Sequence, residues 1–214
     1  PMTNESWLFR PHSADWFIGG MVGSPLIDDW LGVDHGYTTG FRFGWDQSYY
    51  WGLESQFTYA QMGLWDSAGA KLARREWYIS RGRDPDDPAL DRLVNTRRSA
   101  QLYQFAASAM YYPWGDSRWR PYLSLGIGLA RLQYTDIFMT GGKQTFFVLP
   151  IGIGIKYHWN DWLAVRFECS ENISVPGGGG LRSMHNVSFN GALELRFGGQ
   201  RTGYWPWNPG RSYW

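Results

Sequence analysis

Apolar and polar residues alternate along most of this chain, and a period of two predicts β-strands. Eight segments carry the alternation: residues 16–24, 36–45, 50–62, 99–112, 119–134, 145–158, 163–173 and 186–197. Most are longer than the about five or six residues of a typical globular strand. They also reach the roughly 9–11 residues needed to cross a bilayer obliquely.

The connections are expected to alternate in length. Short ones join strands two and three, four and five, and six and seven, at residues 46–49, 113–118 and 159–162. The other four are longer, and residues 63–98 form by far the longest. In an up-and-down meander, alternate connections share an end. One end therefore gathers the tight turns and both termini, and the other gathers the loops. Tryptophan marks the tight-turn end: Trp45 and Trp51, Trp114 and Trp119, and Trp159 and Trp162 flank the three turns. Random placement would put about one of the 14 Trp in those windows, so six read as an aromatic girdle at a headgroup layer.

The two faces of the strands differ. One is bulky and apolar, as in Phe41, Phe43 and Trp45, or Ile151, Ile153 and Ile155. The other is small or polar, as in Gly126, Gly128 and Ala130, or Ser188, Asn190 and Ala192. A soluble ligand-binding barrel would turn the apolar face inward. A membrane barrel reverses this, and a Gly- and Ala-rich face suits a narrow interior. The expected fold is all-β: an eight-stranded antiparallel up-and-down transmembrane β-barrel. The divisions are a periplasmic segment over residues 1–15, the barrel over 16–197 and a Trp-rich periplasmic tail over 198–214. Arg42, Glu54, Lys156, Arg166, Glu168, Glu194 and Arg196 fall on the small face. Inside a lumen they must pair, as a structural network or as a plug.

Composition excludes several classes. Twenty Lys plus Arg against 19 Asp plus Glu leave +1, without the basic excess of a nucleic-acid-binding protein. The single Cys169 excludes a disulfide framework and CxxC chemistry, and it lies too deep to be an acylated N-terminal cysteine. No apolar run reaches the about 18 residues of a transmembrane helix. No signal peptide is evident, so the chain reads as a mature form without its export signal. Aromatics reach 18%, while Lys occurs only at 71, 143 and 156, so a medium other than water is expected against much of the surface.

Two segments carry a family resemblance. Arg120-Pro-Tyr-Leu-Ser-Leu-Gly-Ile-Gly-Leu-Ala130 resembles the Pro-Tyr-x-x-x-Gly-x-Gly-x-Ala strand of the small OmpA/OmpX-like outer-membrane barrels, and Ile151-Gly-Ile-Gly-Ile-Lys156 is a second Gly-x-Gly strand. In the last strand, Asn190, Ala192, Leu195 and Phe197 resemble the signal read by the barrel-insertion machinery, with Ala in place of Gly and 17 residues following. The resemblance implies a bacterial outer-membrane location, periplasmic termini and extracellular long loops. It also implies contact with outer-membrane lipids and lipopolysaccharide, and no nucleic acid. Architecture does not fix function in this superfamily. The expected role is an envelope scaffold or an accessory subunit of an outer-membrane complex. The alternatives are a narrow pore and a lipid A-modifying enzyme.

For an enzyme, His185 lies beside Ser183 and Ser188 near the loop rim, with no acidic partner evident in the sequence. No catalytic residue, metal ligand set or cofactor is therefore expected. Asp84, Asp86 and Asp87 are broken by prolines and lack the spacing of a calcium loop; Asp87 and Pro88 read instead as a helix start. The long loop holds Lys71, Arg74, Arg75, Arg81, Arg83, Arg92, Arg97 and Arg98, as an exposed mixed-charge loop or as a contact for lipopolysaccharide phosphate. Tyr204, Trp205, Trp207, Tyr213 and Trp214 in the tail, and Trp7, Leu8 and Phe9 near the start, are candidate partner-binding segments. The alternative is that both ends pack on their own barrel.

Overall fold

The computed structural model of the chain describes residues 6–23, 31–84, 98–135, 140–177 and 183–199. Eight antiparallel strands pair in chain order and β1 pairs with β8, so the sheet closes. They are β1 (His12–Val22), β2 (Leu31–Asp46), β3 (Trp51–Asp66), β4 (Arg98–Tyr111), β5 (Trp119–Thr135), β6 (Gly141–Asn160), β7 (Leu163–Pro176) and β8 (Met184–Phe197). Among the described residues, one helix, α1 (Ala68–Ser80), follows β3, and a 3-10 turn (Trp7–Phe9) precedes β1.

Closure follows from register. Passing strand to strand from His12, through Trp45, Leu53, Ala109, Leu125, Ile151, Glu171 and Val187, returns to β1 at Val22, ten residues along. A shear of ten over eight strands sets a tilt of about 40° and a radius of about 8 Å. Each residue then climbs the barrel axis by about 2.5 Å.

The strands run further than the alternation predicted. β1 starts at His12, four residues before the expected Trp16, which brings Asp15 into the sheet. β2, β6 and β8 start earlier too, and β3 and β7 run on to Asp66 and Pro176. The loops shrink accordingly. The β5–β6 connection is residues 136–140, shorter than the turn at 112–118, so the expected contrast in loop length fails for that pair; it holds for 23–30, 67–97 and 177–183 against 47–50 and 161–162.

The facing is as the two-residue period reads it. Phe43 is 61% exposed and its neighbour Arg42 1%. The same alternation puts Leu125, Ile153, Phe167 and Leu193 outside, and Arg166, Glu168, Asn190 and Glu194 inside. Burial of the polar face excludes the soluble ligand-binding alternative. Two glycines show how so narrow a lumen takes large side chains. A Cβ on Gly40 would meet the Phe17 ring at 2.7 Å, and one on Gly154 would strike the Tyr122 ring and hydroxyl.

The lumen has two unlike halves. Toward the tight turns it is charged. Toward the loops, Met21, Val33, Met62, Leu64, Leu102, Leu132, Phe146, Val148 and Met184 pack into an apolar core. α1 closes that end. Ser67 caps it by accepting the Ala70 N–H at 3.1 Å, and Ala70 joins the apolar core. A helix starting at Asp87 was expected in this loop; Asp86, Asp87 and Pro88 lie outside the described residues.

Candidate functional site

All seven charged residues expected in the lumen are there, joined by Arg120, Asp15 and Asp46. They form two layers. In the inner layer Arg166 pairs with Glu54 across the barrel, with Glu168 beside it and with Asp15 at 3.3 Å. Arg42 donates to Glu168 at 2.8 Å and lies 3.7 Å from Asp15 and 3.8 Å from Glu54. The Tyr122 hydroxyl donates to Glu168 at 2.6 Å and accepts from Arg166 Nε at 2.6 Å. In the outer layer Asp46 accepts from Arg120 at 2.7 Å and from Arg196 at 2.6 Å. Glu194 forms an ion pair with Lys156 at 2.7 Å and accepts a hydrogen bond from Arg196 at 2.6 Å. Five cations thus face five anions: the inner layer has one anion in excess, the outer layer one cation, and together they are neutral. A buried pair of this kind adds little net stability over an apolar core, but loss of one partner costs about 3–5 kcal/mol.

The three added residues had partial signals. Asp15 preceded the expected strand start, Asp46 belonged to an expected turn, and Arg120 was read as part of the Pro-Tyr motif. Extending the first two strands by one residue places Asp15 and Asp46 inside, and carrying the alternation back from Ser124 within the expected strand places Arg120 there.

The N-terminal segment seals the tight-turn mouth. Trp7 is buried. Its backbone N–H donates to Asp116 Oδ1 at 2.9 Å and its indole N–H to the Ser117 carbonyl at 2.7 Å. Its ring stacks on His158 with centroids 4.6 Å apart, and the guanidiniums of Arg196 and Arg120 lie 4.6 and 5.1 Å from it. Arg196 also donates to the Trp7 and Arg10 carbonyls. Of the two alternatives for this end, it therefore packs on its own barrel. Tyr204, Trp205, Trp207, Tyr213 and Trp214 lie outside the described residues.

At the other end Asp66 binds both Arg74 of α1 and Arg98 of β4. Both arginines are buried, which corrects the expectation of a uniformly exposed basic loop. Lys71, Arg75, Arg81 and Arg83 are exposed, and Arg92 and Arg97 lie outside the described residues.

On the outer wall, Trp45, Trp51, Trp114, Trp119, Trp159 and Trp162 are all exposed around the tight-turn end. Tyr37, Tyr59 and Tyr103 form a second row, with successive ring centroids 6.2 and 5.3 Å apart. Each lies eight residues along its strand from Trp45, Trp51 or Tyr111. Eight tilted residues rise about 20 Å, close to the roughly 25 Å apolar band of an outer-membrane barrel. In β8, Asn190 and Ala192 face the lumen and Leu195 and Phe197 face outward. The sequence showed no acid for His185, but its Nδ1 lies 2.9 Å from Glu171 Oε1, on the outer wall. Ser183 is exposed, whereas Ser188 points into the lumen and bonds Ser170 at 2.8 Å. Among the described residues, no group of His, Cys, Asp and Glu gathers to hold a metal ion.

The fold is similar to that of known barrels. Neisserial surface protein A superposes with a TM-score of 0.57 at 14% identity, over 87% of this chain and 97% of that one. OprG of Pseudomonas aeruginosa gives 0.46 at 12% identity, over 86% and 96%. Ail of Yersinia pestis gives 0.45 at 12% identity, over 87% and 99%. No curated protein matches the chain. The profile of the outer membrane protein beta-barrel domain matches residues 11–197, from the start of β1 to the end of β8. The chain belongs to the outer-membrane β-barrel protein family.

Proposed function

We propose that the protein is a non-conducting envelope barrel with a structural or interaction role, as a scaffold or as an accessory subunit of a larger outer-membrane complex. In this reading the tight turns and termini are periplasmic and the loops extracellular. The observation that carries it is a lumen filled by buried side chains along its length: Trp7 and the charge layers toward the tight turns, the apolar core with Ala70 of α1 toward the loops. A barrel without a through-path acts by its surfaces. Those surfaces meet outer-membrane lipid and lipopolysaccharide, and the loop end is free for a protein partner. The Asn190, Ala192, Leu195 and Phe197 pattern supports delivery by the barrel-insertion machinery. The test is a mild-detergent pull-down from native membranes, with conductance in planar bilayers. Co-migration with a stoichiometric partner is expected, without unitary currents. Migration alone removes the subunit role and leaves the scaffold; steady single-channel currents overturn both in favour of the pore.

Glu171 favours a second reading, an acyl hydrolase acting on lipid A. A catalytic imidazole needs an acid on its second nitrogen, and His185 has one on the lipid-facing wall, two residues from the exposed Ser183. Replacing His185 by Ala and reading the acyl pattern of lipid A tests it. Unchanged lipid A removes the enzyme.

A further inference from the structure

Among the described residues, the other cations on the strands are in ion pairs, so the exceptions carry information. On the outer face of β4, β5 and β6, three rows lie in direct register. Phe105, Leu129 and Phe147 form the last apolar row. Tyr103, Arg131 and Thr145 form the next, and Gln101, Gln133 and Lys143 the one beyond. The change from hydrocarbon-facing to polar side chains is therefore abrupt and simultaneous on three strands. Arg131, Thr145 and Lys143 are exposed. Neither cation makes a hydrogen bond or ion pair among the described residues, and no described outward residue of these strands is acidic. By contrast, the outward acid of β7, Glu171, is engaged by His185.

Tyr103 fixes the level of this patch. It belongs to the row Tyr37, Tyr59 and Tyr103, and its hydroxyl donates to Gln101 at 3.4 Å. Aromatic hydroxyls of this kind sit where apolar body and polar tip both find partners, at the headgroup layer. Arg131 and Lys143 are diagonal neighbours across β5 and β6, with Cβ atoms about 7–8 Å apart. Two long cationic side chains at that separation converge on a single anion between them. The amides of Gln101 and Gln133 and the hydroxyl of Thr145 supply neutral donors around it. Beneath them Phe105, Leu129 and Phe147 offer the wall against which acyl chains would lie. A soluble anion would use the cations alone; only an amphiphile uses both parts.

We propose that Arg131 and Lys143, with Gln101, Gln133 and Thr145, form a binding site for the phosphorylated headgroup of a membrane lipid in the leaflet at the loop end. Arginine takes the phosphate oxygens through its planar fork and lysine acts as a point charge beside it. This rests on the proposed orientation, with the loops extracellular, and assigns residues to the lipid contact named there; it does not require the scaffold or subunit role, since a barrel of any role would carry the lipid.

The test uses the full chain folded in a neutral detergent, with three probes: bis-phosphorylated lipid A, lipid A stripped of phosphate, and inorganic phosphate. Native mass spectrometry reads retained lipid. The wild-type barrel is expected to retain the phosphorylated lipid roughly a hundredfold better than the stripped one, about tenfold per cation on the scale of a charge-assisted hydrogen bond. Inorganic phosphate should show no saturable binding. Arg131→Gln and Lys143→Gln should each reduce the preference about tenfold, and the double variant should abolish it. Lys71→Gln, an exposed cation of α1, should leave it unchanged. Folding of each variant is checked by the gel mobility of the unheated barrel; Arg131→Lys, which keeps the charge, should retain most of the preference and covers the case in which Arg131→Gln fails to fold. Equal retention of the stripped lipid, an undiminished preference in the double variant, or its loss in Lys71→Gln would each overturn the site.

Discussion

Arg166→Met puts the charge layers to the most direct test. The side chain is buried and joins Glu54, Glu168 and Asp15, with Tyr122 on its Nε. Methionine keeps the length and removes the charge. Asp15, Glu54 and Glu168 would then share Arg42 alone, leaving two uncompensated carboxylates in a lumen of about 8 Å radius. Like charges about 6 Å apart at an effective dielectric of about 20 repel by about 3 kcal/mol. With the lost charge-assisted hydrogen bonds, the expected destabilisation is about 3–5 kcal/mol. Glu54→Gln on the same background removes one surplus charge and should restore about 1–2 kcal/mol, so the two substitutions couple rather than add. The assay is equilibrium urea unfolding in lipid vesicles, followed by tryptophan emission. Lys71→Gln serves as comparator, because that side chain is exposed on α1 and should stay within about 0.5 kcal/mol. A loss below about 1 kcal/mol for Arg166→Met, or strict additivity with Glu54→Gln, would refute the claim that these residues neutralise one another in a water-poor interior.

Three further outcomes follow from other parts of the molecule. Trp7→Ala removes a buried indole and should cost about 3 kcal/mol in the same unfolding assay, the low end of the range for such truncations because water can refill the mouth. Asp66→Ala leaves Arg74 and Arg98 buried without their shared carboxylate, and tryptic cleavage after Lys71 and Arg75 should accelerate at least about tenfold as α1 lifts from the core. Lipids brominated near the headgroup should quench the emission of Trp45, Trp51, Trp114, Trp119, Trp159 and Trp162 and spare Trp7, read in a variant keeping only that tryptophan.

The legible parts of this fold were those in which the two faces of a strand differ. Phe41–Phe43–Trp45 against Gly40–Arg42–Gly44 states its facing outright, and the seven lumen charges followed from it. Near the loops the contrast fails. At Phe146, Phe147 and Val148 both faces are apolar, and at Gln101–Leu102 and Arg131–Leu132–Gln133 it inverts, with the apolar residue inward and polar neighbours outward, so a rule that takes the polar face for the interior misreads these stretches. The apolar half of the lumen was invisible for that reason. Strand ends failed differently. The alternation at His12–Asp15 is polar on both faces, because Asp15 serves an interior that is itself ionic. Trp7 lies outside any periodic segment, and its seat is assembled from β5, β6, β8 and the turn at Asp116 and Ser117. Contacts so distant in sequence have no local signature. α1 had one, the Ser67 cap, but the reading of a helix start went to Asp87 instead.

The two seals differ in physics, and this decides how the barrel would leak. One is ionic and hydrogen-bonded, built on Arg42, Arg166 and Arg196 and stoppered by Trp7. The other is apolar, built on Leu102, Leu132 and Phe146 under α1. Tyr122 and Leu132 are ten residues apart on β5, so the centres of the seals stand about 25 Å apart along the axis. At that distance their openings are independent. If each opens with a free energy of about 3 kcal/mol, each is open about one part in 150, and both together about one in 20,000. Salt affects the buried pairs little and denaturant weakens chiefly the apolar seal, so no single mild condition releases both. It follows that Trp7→Ala alone should leave a planar bilayer silent. Trp7→Ala combined with Asp66→Ala should give rare, brief openings, more frequent by the product of the two single effects. Conductance from Trp7→Ala by itself would mean that the apolar core does not close the loop end, and the case for a barrel that works through its surfaces would fall with it.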